Sequence, residues 1–311
     1  MIGHYVALIR RELWEHRSIY VTPLVIASIV TLGTLTALVF VGGEFREELD
    51  LAIFGAQNAA GDTGRKAVLT GLFVGSSWLF LLGLGVLTVF YALDSLYAER
   101  KDKSILFWRS LPVTDAETVI SKLLTALFVI PAVAAVGIIV THLINLVITS
   151  VWVSFQGGDA SLLIWESVPL LDNWLAMIIL LFALSIWMSP FVGWFLFVSG
   201  YTRRAPLLMA FLPLVLIPMI EGIFLRSKHF AEAVWGRSAS IPIFADIDIE
   251  RFFDEENPFH GAHDITEEIS SLLAHLDVAK FFGSMDTWIG IVVCALLTTA
   301  AIYVRRYRDE S

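Results

Sequence analysis

Six long apolar runs, separated by polar segments, set the pattern of this chain. About 20 residues of α-helix are enough to cross the ~30 Å hydrocarbon core of a bilayer. Each run is close to that length or longer, so each can span a membrane as a helix. The pattern predicts an all-α integral membrane protein whose residues 19–304 form a six-span transmembrane domain. The predicted spans are 19–41, 68–93, 119–151, 174–199, 205–225 and 287–304.

The residues before the first run predict a different kind of helix. Within residues 1–18, apolar side chains recur at helical spacing on one face, and Arg10 and Arg11 lie elsewhere on the turn. Such a helix lies in the membrane interface with its arginines toward the headgroups. The alternative is a plain extension of the first span. The apolar face consists of Ile2, Tyr5, Val6, Ile9 and Leu13.

Charge in the connecting segments predicts the orientation. Six spans place both termini, including the tail 305–311, on one side of the membrane. The segments on that side carry 12 Lys and Arg residues, against 8 in the opposite loops, which are together longer. Positively charged short segments resist translocation. We therefore predict that both termini are cytoplasmic.

Composition agrees with a membrane protein and excludes some functions. Hydrophobic residues make up 57% of the 311 residues, charged residues make up 16%, and the mean hydropathy is +0.75. The net charge of −9 comes mostly from one segment, 232–286, so we expect lipid contact and no nucleic-acid binding. A single cysteine, Cys294, permits neither an intrachain disulfide nor a cysteine metal site.

A larger loop, 226–286, separates the fifth and sixth runs and is predicted to be external. Asp264 and Glu267 have the spacing of a helix cap, and an apolar face follows as far as Leu276, which predicts an amphipathic helix. His260 and His263 lie among acidic residues here. A solvated acidic loop explains them better than a cation site.

The segment 95–118, between the second and third runs, is the most informative part of the sequence. Glu99 and Lys103 have the i,i+4 spacing that stabilises a helix, which predicts that the second span continues into the cytoplasm. Thr114 and Glu117 form a capping-box pattern, which predicts that a new helix begins there. The bulky apolar run 105–108 lies inside this charged stretch and needs a covering surface.

Nucleotide-binding and catalytic motifs are absent. No G-x-x-x-x-G-K-[ST] sequence occurs, and the glycines and lysine of 61–66 have the wrong spacing for a phosphate cradle. No zinc-protease or nucleophile-elbow motif occurs either. We therefore predict no enzyme activity and no cofactor in this chain.

Three polar residues within the apolar runs are candidates for a substrate path or a gate. Glu221 follows Pro213 and Pro218 near the end of the fifth run, where backbone carbonyls can be freed. Glu221 is predicted to lie near the external interface, where an ionised carboxylate costs little free energy. His142 and Asn145 lie one turn apart in the third run and share a face. Helix-to-helix packing is the simpler explanation for this pair.

The segment 97–104 (Tyr-Ala-Glu-Arg-Lys-Asp-Lys-Ser), followed by Ser-Leu-Pro-Val at 110–113, resembles the signature region of ABC-2 type permeases. These are the membrane subunits of a class of ATP-driven transporters. The layout is similar as well, with a leader helix, six spans, a short cytoplasmic loop after the second span and a larger external loop before the sixth.

The resemblance implies a bacterial inner-membrane exporter. Two permease copies would pair, each on a separate ABC ATP-binding subunit that binds ATP and Mg. The loop 95–118 would couple the two kinds of subunit, with the second and fifth spans at the permease seam. By position, the polar contacts with the ATPase would come from Glu99, Arg100, Lys101, Asp102 and Lys103, and the apolar contacts from Phe107, Trp108 and Leu111.

Two other classes remain open on sequence grounds. An ion-coupled secondary transporter or channel would need no ATPase and would use Glu221 and His142 as ion-handling groups. Inverted repeats would favour that class, and the sequence shows none. A membrane-embedded enzyme is disfavoured because no acid, base and nucleophile motifs cluster.

Overall fold

The computed structural model describes residues 2–40, 59–104, 113–166, 168–244 and 272–307. Within these ranges the chain is helical and has no β-strand beyond an isolated bridge between Phe244 and Leu276. Six helical stretches are long and apolar enough to cross a membrane, which confirms the number predicted from the apolar runs. In chain order they are the first to sixth spans: Ser18–Phe40, Leu69–Lys101, Asp115–Phe155, Ser161–Trp187, Pro206–Leu225 and Met285–Tyr307.

The leader is a separate helix, Ile2–Glu15, that packs against the start of the third span. The helix of the second span runs from Ala59 to Lys101 and so continues beyond the apolar run, as predicted. At 1.5 Å per residue its 43 residues extend about 64 Å, roughly twice the thickness of the hydrocarbon core.

The third span changes its helical geometry in the middle. It consists of helices Asp115–Leu124 and Ile130–Phe155, joined by a π-helical turn at Thr125–Val129. Pro131 follows the turn and has no backbone N–H for the carbonyl of Leu127. The Ser185 hydroxyl of the fourth span donates to this carbonyl at 2.8 Å instead. The proline thus accounts for both the irregular turn and a hydrogen bond between spans.

The fourth run is interrupted, whereas the apolar pattern alone predicted one helix over 174–199. Helices Leu170–Trp187 and Ser189–Tyr201 meet at Met188, where Pro190 removes one backbone donor. The amide of Phe191 donates to the carbonyl of Met188, which leaves the Trp187 carbonyl open to another donor.

Arg237, in the segment after the fifth span, uses that carbonyl. Its Nε donates to Trp187 O at 2.8 Å, and the indole N–H of Trp187 donates back to Arg237 O at 2.7 Å. The guanidinium lies 3.9 Å from the centre of the Trp187 ring and donates to Asp286 O at 3.0 Å. These contacts, which we call the Arg237 latch, join the connection between the fifth and sixth spans to the break in the fourth.

The fifth span stays helical through both internal prolines. Its helix covers Pro206–Ile220 and ends in a π-helical turn at Glu221–Leu225. Most of its large side chains are exposed, and the same is true of the first span. Both spans therefore present apolar faces to their surroundings.

The sixth span packs closely along helix Ser189–Tyr201, which follows the fourth span. A Cβ atom added at Gly193 would lie 3.0 Å from the carbonyl oxygen of Cys294, so the glycine permits this backbone approach. The main apolar core between the spans includes Phe80, Ile130 and Leu196.

The first and last helices of the chain meet at one end of the bundle. Arg11 of the leader and Arg305 of the sixth span both contact Glu99 at the end of the second span. The connection between the fifth and sixth spans lies at the opposite end, next to Asp286. Residues 245–271, which include His260, His263 and most of the predicted amphipathic helix, lie outside the described residues.

Candidate functional site

The predicted coupling loop is described at its two flanks, up to Ser104 and from Val113 onward. Phe107, Trp108 and Leu111 lie outside the described residues. The flanks meet in a buried group of charged side chains at the end of the bundle that carries the leader. We call this group the ionic network. It consists of Arg11, Glu12, Glu99, Asp115, Lys122 and Arg305.

Glu99 lies at the centre of the ionic network. Its carboxylate is only 5% exposed and accepts hydrogen bonds from Arg11 Nη2 at 2.9 Å and from Arg305 Nη1. Lys122 Nζ is 3.0 Å from its Oε1. The residue predicted to contact an ATPase therefore holds three cations of its own chain, from the leader, the third span and the sixth span.

Lys122 and Glu12 form the most deeply buried pair. Lys122 is 0% exposed and Glu12 is 1% exposed. The Lys122 ammonium donates to both carboxylate oxygens of Glu12, at 2.9 and 3.0 Å. The hydroxyl of Tyr91 in the second span donates to the same carboxylate at 2.9 Å. This pair fixes the leader helix to the second and third spans.

Arg305 closes the ionic network on the side of the sixth span. Its Nε donates to Asp115 Oδ1 at 2.9 Å, and its Nη1 contacts Glu99. Asp115 is the first residue of the third-span helix, where Thr114 and Glu117 form the predicted capping box with both reciprocal hydrogen bonds. The sixth span is thereby joined to both flanks of the coupling loop.

The network balances three carboxylates against three cations. Transferring a charge from water into a low-dielectric interior costs several kcal/mol per ion, and only well-placed partners offset this cost. Breaking such a pair by removing one member typically destabilises a protein by about 3–5 kcal/mol. The four helical elements that supply these side chains are therefore expected to move as a unit.

The remaining polar residues of the coupling segment divide into two groups. The Arg100 guanidinium donates to the carbonyls of Ser199 and Thr202, both at 2.6 Å, and so caps the end of helix Ser189–Tyr201. Lys101, Asp102 and Lys103 are exposed beyond the ionic network. These three side chains form the accessible polar tip of the described loop flanks.

His142 is satisfied by neighbouring spans. The indole N–H of Trp174 approaches its Nδ1 at 3.3 Å, and Ser76 and Ser77 lie 3.2 Å from its Nε2. An indole nitrogen can only donate, so Nδ1 is the acceptor and Nε2 carries the proton. Both serine hydroxyls donate to the Phe73 carbonyl and are free to accept from Nε2. The imidazole is thus neutral and joins the second, third and fourth spans.

Glu221 is held by the segment that follows it. Its carboxylate accepts from Ser227 Oγ at 2.8 Å and from the Phe230 amide at 2.9 Å. These donors belong to the start of the short helix His229–Ala231, whose first amides lack helical partners. The contacts assign Glu221 a capping function in this conformation. Asn145, by contrast, has a buried Oδ1 with no hydrogen-bond partner.

Sequence reasoning found Glu99 but missed its partners. Lys122 lies inside the predicted run 119–151, where an ionisable residue costs free energy. That position is a signal from which a functional or structural pair could have been predicted. Glu12 and Arg305 gave no comparable signal, because each lies in an amphipathic or flanking segment where charge is ordinary.

Comparison with known proteins assigns no family to this chain. No protein-family model matches it, and no curated protein matches its sequence. The resemblance to ABC-2 permeases therefore stays a prediction that depends on the coupling segment and the layout of the spans.

Proposed function

We propose that this chain is the membrane-spanning permease of an ABC-2 type exporter in a bacterial inner membrane. ATP and Mg would bind to a separate ABC ATP-binding subunit, because this chain has no P-loop sequence. Both termini and the loop 95–118 would be cytoplasmic, and the loop 226–286 would be external. The leader 1–18 would lie in the interface of the cytoplasmic leaflet.

The ionic network is the observation that best supports this proposal. It ties the two flanks of the loop, at Glu99 and Asp115, to the leader and the sixth span. A displacement of the loop by a partner would therefore move four elements together, which is what a coupling device needs. A loop that served only as a connection would have no need of buried charges at its base.

The exposed tip supplies the polar part of the docking surface. Lys101, Asp102 and Lys103 would contact the ATPase, and Phe107, Trp108 and Leu111 would anchor it through apolar contacts. Glu99 and Arg100 would act as positioning residues, since their side chains bind within the chain. Closure of two ATPase subunits would then tilt the second and third spans and open a path between two permease copies.

A second permease copy fits the second span. Gly71 and Gly75 form a small-x-x-x-small pair, and a Cβ atom added at either would meet no atom within 4 Å. Such pairs allow close helix approach in membranes. Gly83 faces Ile26 of the first span instead. The interface between the two permease copies would therefore use the part of this helix around Gly71 and Gly75, together with the exposed fifth span.

The alternative, an ion-coupled transporter without an ATPase, would rely on Glu221 and His142. Both side chains are fully engaged by neighbours in the described structure. A group that carries an ion across a membrane must be released from such contacts, so this arrangement gives the alternative little support.

The direct test is a detergent pull-down of the tagged chain expressed with its neighbouring genes. We expect a stoichiometric P-loop protein to co-purify and to hydrolyse ATP. The variant Lys101→Glu/Lys103→Glu should reduce the recovered partner at least ~10-fold, the effect of losing about 1.4 kcal/mol of binding energy.

The matched control is Arg203→Glu/Arg204→Glu, which makes the same charge change on exposed residues of another short segment at the same end. It should retain the partner. A chain that purifies alone under conditions that preserve complexes would contradict the proposal. In that case transport by Glu221→Gln and His142→Gln variants would test the ion-coupled alternative.

A further inference from the structure

A cavity of about 290 Å³ lies between the first, second and third spans, toward the end opposite the ionic network. No charged residue is among the described residues that line it. Most of its wall is aliphatic or aromatic, and the polar part is supplied by Thr34, Ser76, Asn145 and Thr149. The cavity therefore suits a molecule that has an apolar body and a small uncharged or zwitterionic polar group.

The hydroxyl groups of this wall are already donors within the chain. Thr34 donates to the Val30 carbonyl at 3.1 Å, and Thr149 donates to the Asn145 carbonyl at 2.8 Å. Ser76 donates to the Phe73 carbonyl at 2.8 Å. A hydroxyl has one proton and two lone pairs, so each oxygen keeps only acceptor capacity for a guest, and Ser76 shares that capacity with His142 Nε2.

Asn145 provides the strongest indication of a guest. The residue is 8% exposed, lines the cavity, and has an Oδ1 atom without a hydrogen-bond partner. A buried polar atom without a partner costs about 1–3 kcal/mol. Asn145 lines the cavity, so a guest that donates a hydrogen bond would supply the partner that this oxygen lacks.

The depth of the cavity identifies the environment of the guest. On the first span it is lined from Val30 to Leu38, which are 12 and 20 residues beyond Ser18. At 1.5 Å per residue this corresponds to about 18–30 Å above the start of the span. In a hydrocarbon core of ~30 Å the cavity therefore lies at the level of the far leaflet, from just beyond the midplane to the headgroup boundary.

We propose that this cavity binds a lipid of that leaflet through a compact head group that donates hydrogen bonds. A head group that donates hydrogen bonds is favoured by the acceptor oxygens of Thr34, Ser76, Asn145 and Thr149. The described lining residues carry no charge, which favours a neutral or zwitterionic lipid over an anionic one. This inference is independent of whether an ATPase drives the protein.

The test compares two zwitterionic lipids whose head groups differ in donor capacity and by three methyl groups. Phosphatidylethanolamine carries an ammonium with three N–H donors, whereas phosphatidylcholine with the same acyl chains has a trimethylated nitrogen and none. Binding to the detergent-purified full chain is measured by native mass spectrometry. We expect phosphatidylethanolamine to bind at least ~5-fold more tightly to the wild type.

The variant Asn145→Leu keeps a similar volume and should abolish that preference. The control is Asn173→Leu, which removes another buried amide without hydrogen-bond partners, one that does not line the cavity. It should keep the preference. Equal binding of the two lipids to the wild type, or an unchanged preference in Asn145→Leu, would overturn the proposal. A preference for phosphatidylglycerol over both would also overturn it, since that lipid is anionic.

Discussion

The two ends of the bundle hold their helices together by different means. At the leader end, full charges are buried and matched in pairs, with Lys122 against Glu12 and Glu99 against Arg305. At the opposite end the contacts between spans are made mostly by neutral groups, such as His142 with Trp174. Arg237, one of the charged residues at that end, binds backbone carbonyls and an aromatic face.

The difference shows which end is built to transmit a displacement. Matched buried charges act over longer distances than neutral hydrogen bonds and are costly to separate. Helices joined by them resist independent movement. Neutral contacts and a partly buried latch to backbone carbonyls cost less to break than paired buried charges, so the opposite end can rearrange while the leader end moves as a unit.

The largest predicted effect follows from removing Lys122. Replacing it with methionine leaves Glu12 and Glu99 short of a cation in a buried site, which should cost about 3–5 kcal/mol of stability. We expect a large fall in the thermal unfolding temperature of the purified protein and a poor yield of folded chain.

The double variant Lys122→Met/Glu12→Gln restores the charge balance and serves as the control. It should recover a substantial part of the lost stability, because the two effects are coupled through one contact. Additive losses in the double variant would show that the pair is not coupled, and that the leader is held by other contacts.

An intermediate effect is expected at the Arg237 latch. A methyl group at Gly290 would overlap with Nη2 of Arg237. Gly290→Ala should therefore displace the guanidinium and cost about 1–3 kcal/mol through lost hydrogen bonds and cation–π contact. Thermal unfolding measures the loss.

The same substitution in an Arg237→Met background tests the cause. There the methyl group has no guanidinium to displace, so Gly290→Ala should cost much less. An equal cost in both backgrounds would show that the glycine acts through backbone packing and not through the latch.

The smallest effect concerns pH at the edge of the ionic network. Burial lowers the pKa of His16, although Glu12 at 3.8 Å opposes the shift. The folded protein therefore holds His16 neutral, while the unfolded chain takes up a proton near pH 6.5. The contribution of His16 to the free energy of unfolding is therefore fully present above about pH 6.5. It decreases as the pH falls toward the pKa of His16 in the folded protein.

The variant His16→Gln cannot titrate and should lose this part of the pH dependence below about pH 6.5. The unfolding temperature measured at several pH values gives the comparison. If the unfolding temperature depends on pH in the same way in wild type and variant, His16 is not the source of that dependence.

Much of the fold could be predicted from single residues and their spacing. The number of spans, the helix beyond Leu93 and the capping box at Thr114 and Glu117 are confirmed. Each depends on local physical chemistry that a linear sequence displays. The interruption at Met188 was missed, because Pro190 lies in an apolar run that also fits an unbroken helix.

The candidate site was predictable only in part. Glu99 was selected by its position in the segment that resembles ABC-2 permeases, yet its partners are Arg11, Lys122 and Arg305, which are 88, 23 and 206 residues away. Contacts at such separations leave no periodic signal in the sequence.

The sequence by itself determined that this protein is helical, that six of its stretches can cross a membrane, and that it carries no P-loop. Length, hydropathy and motif spacing are properties of the unfolded chain and need no neighbours. Tertiary structure decided which charges are buried, which polar groups have partners, and that Asn145 lines a cavity. Burial and pairing depend on which helices meet, and helix contact is settled by packing of the whole bundle.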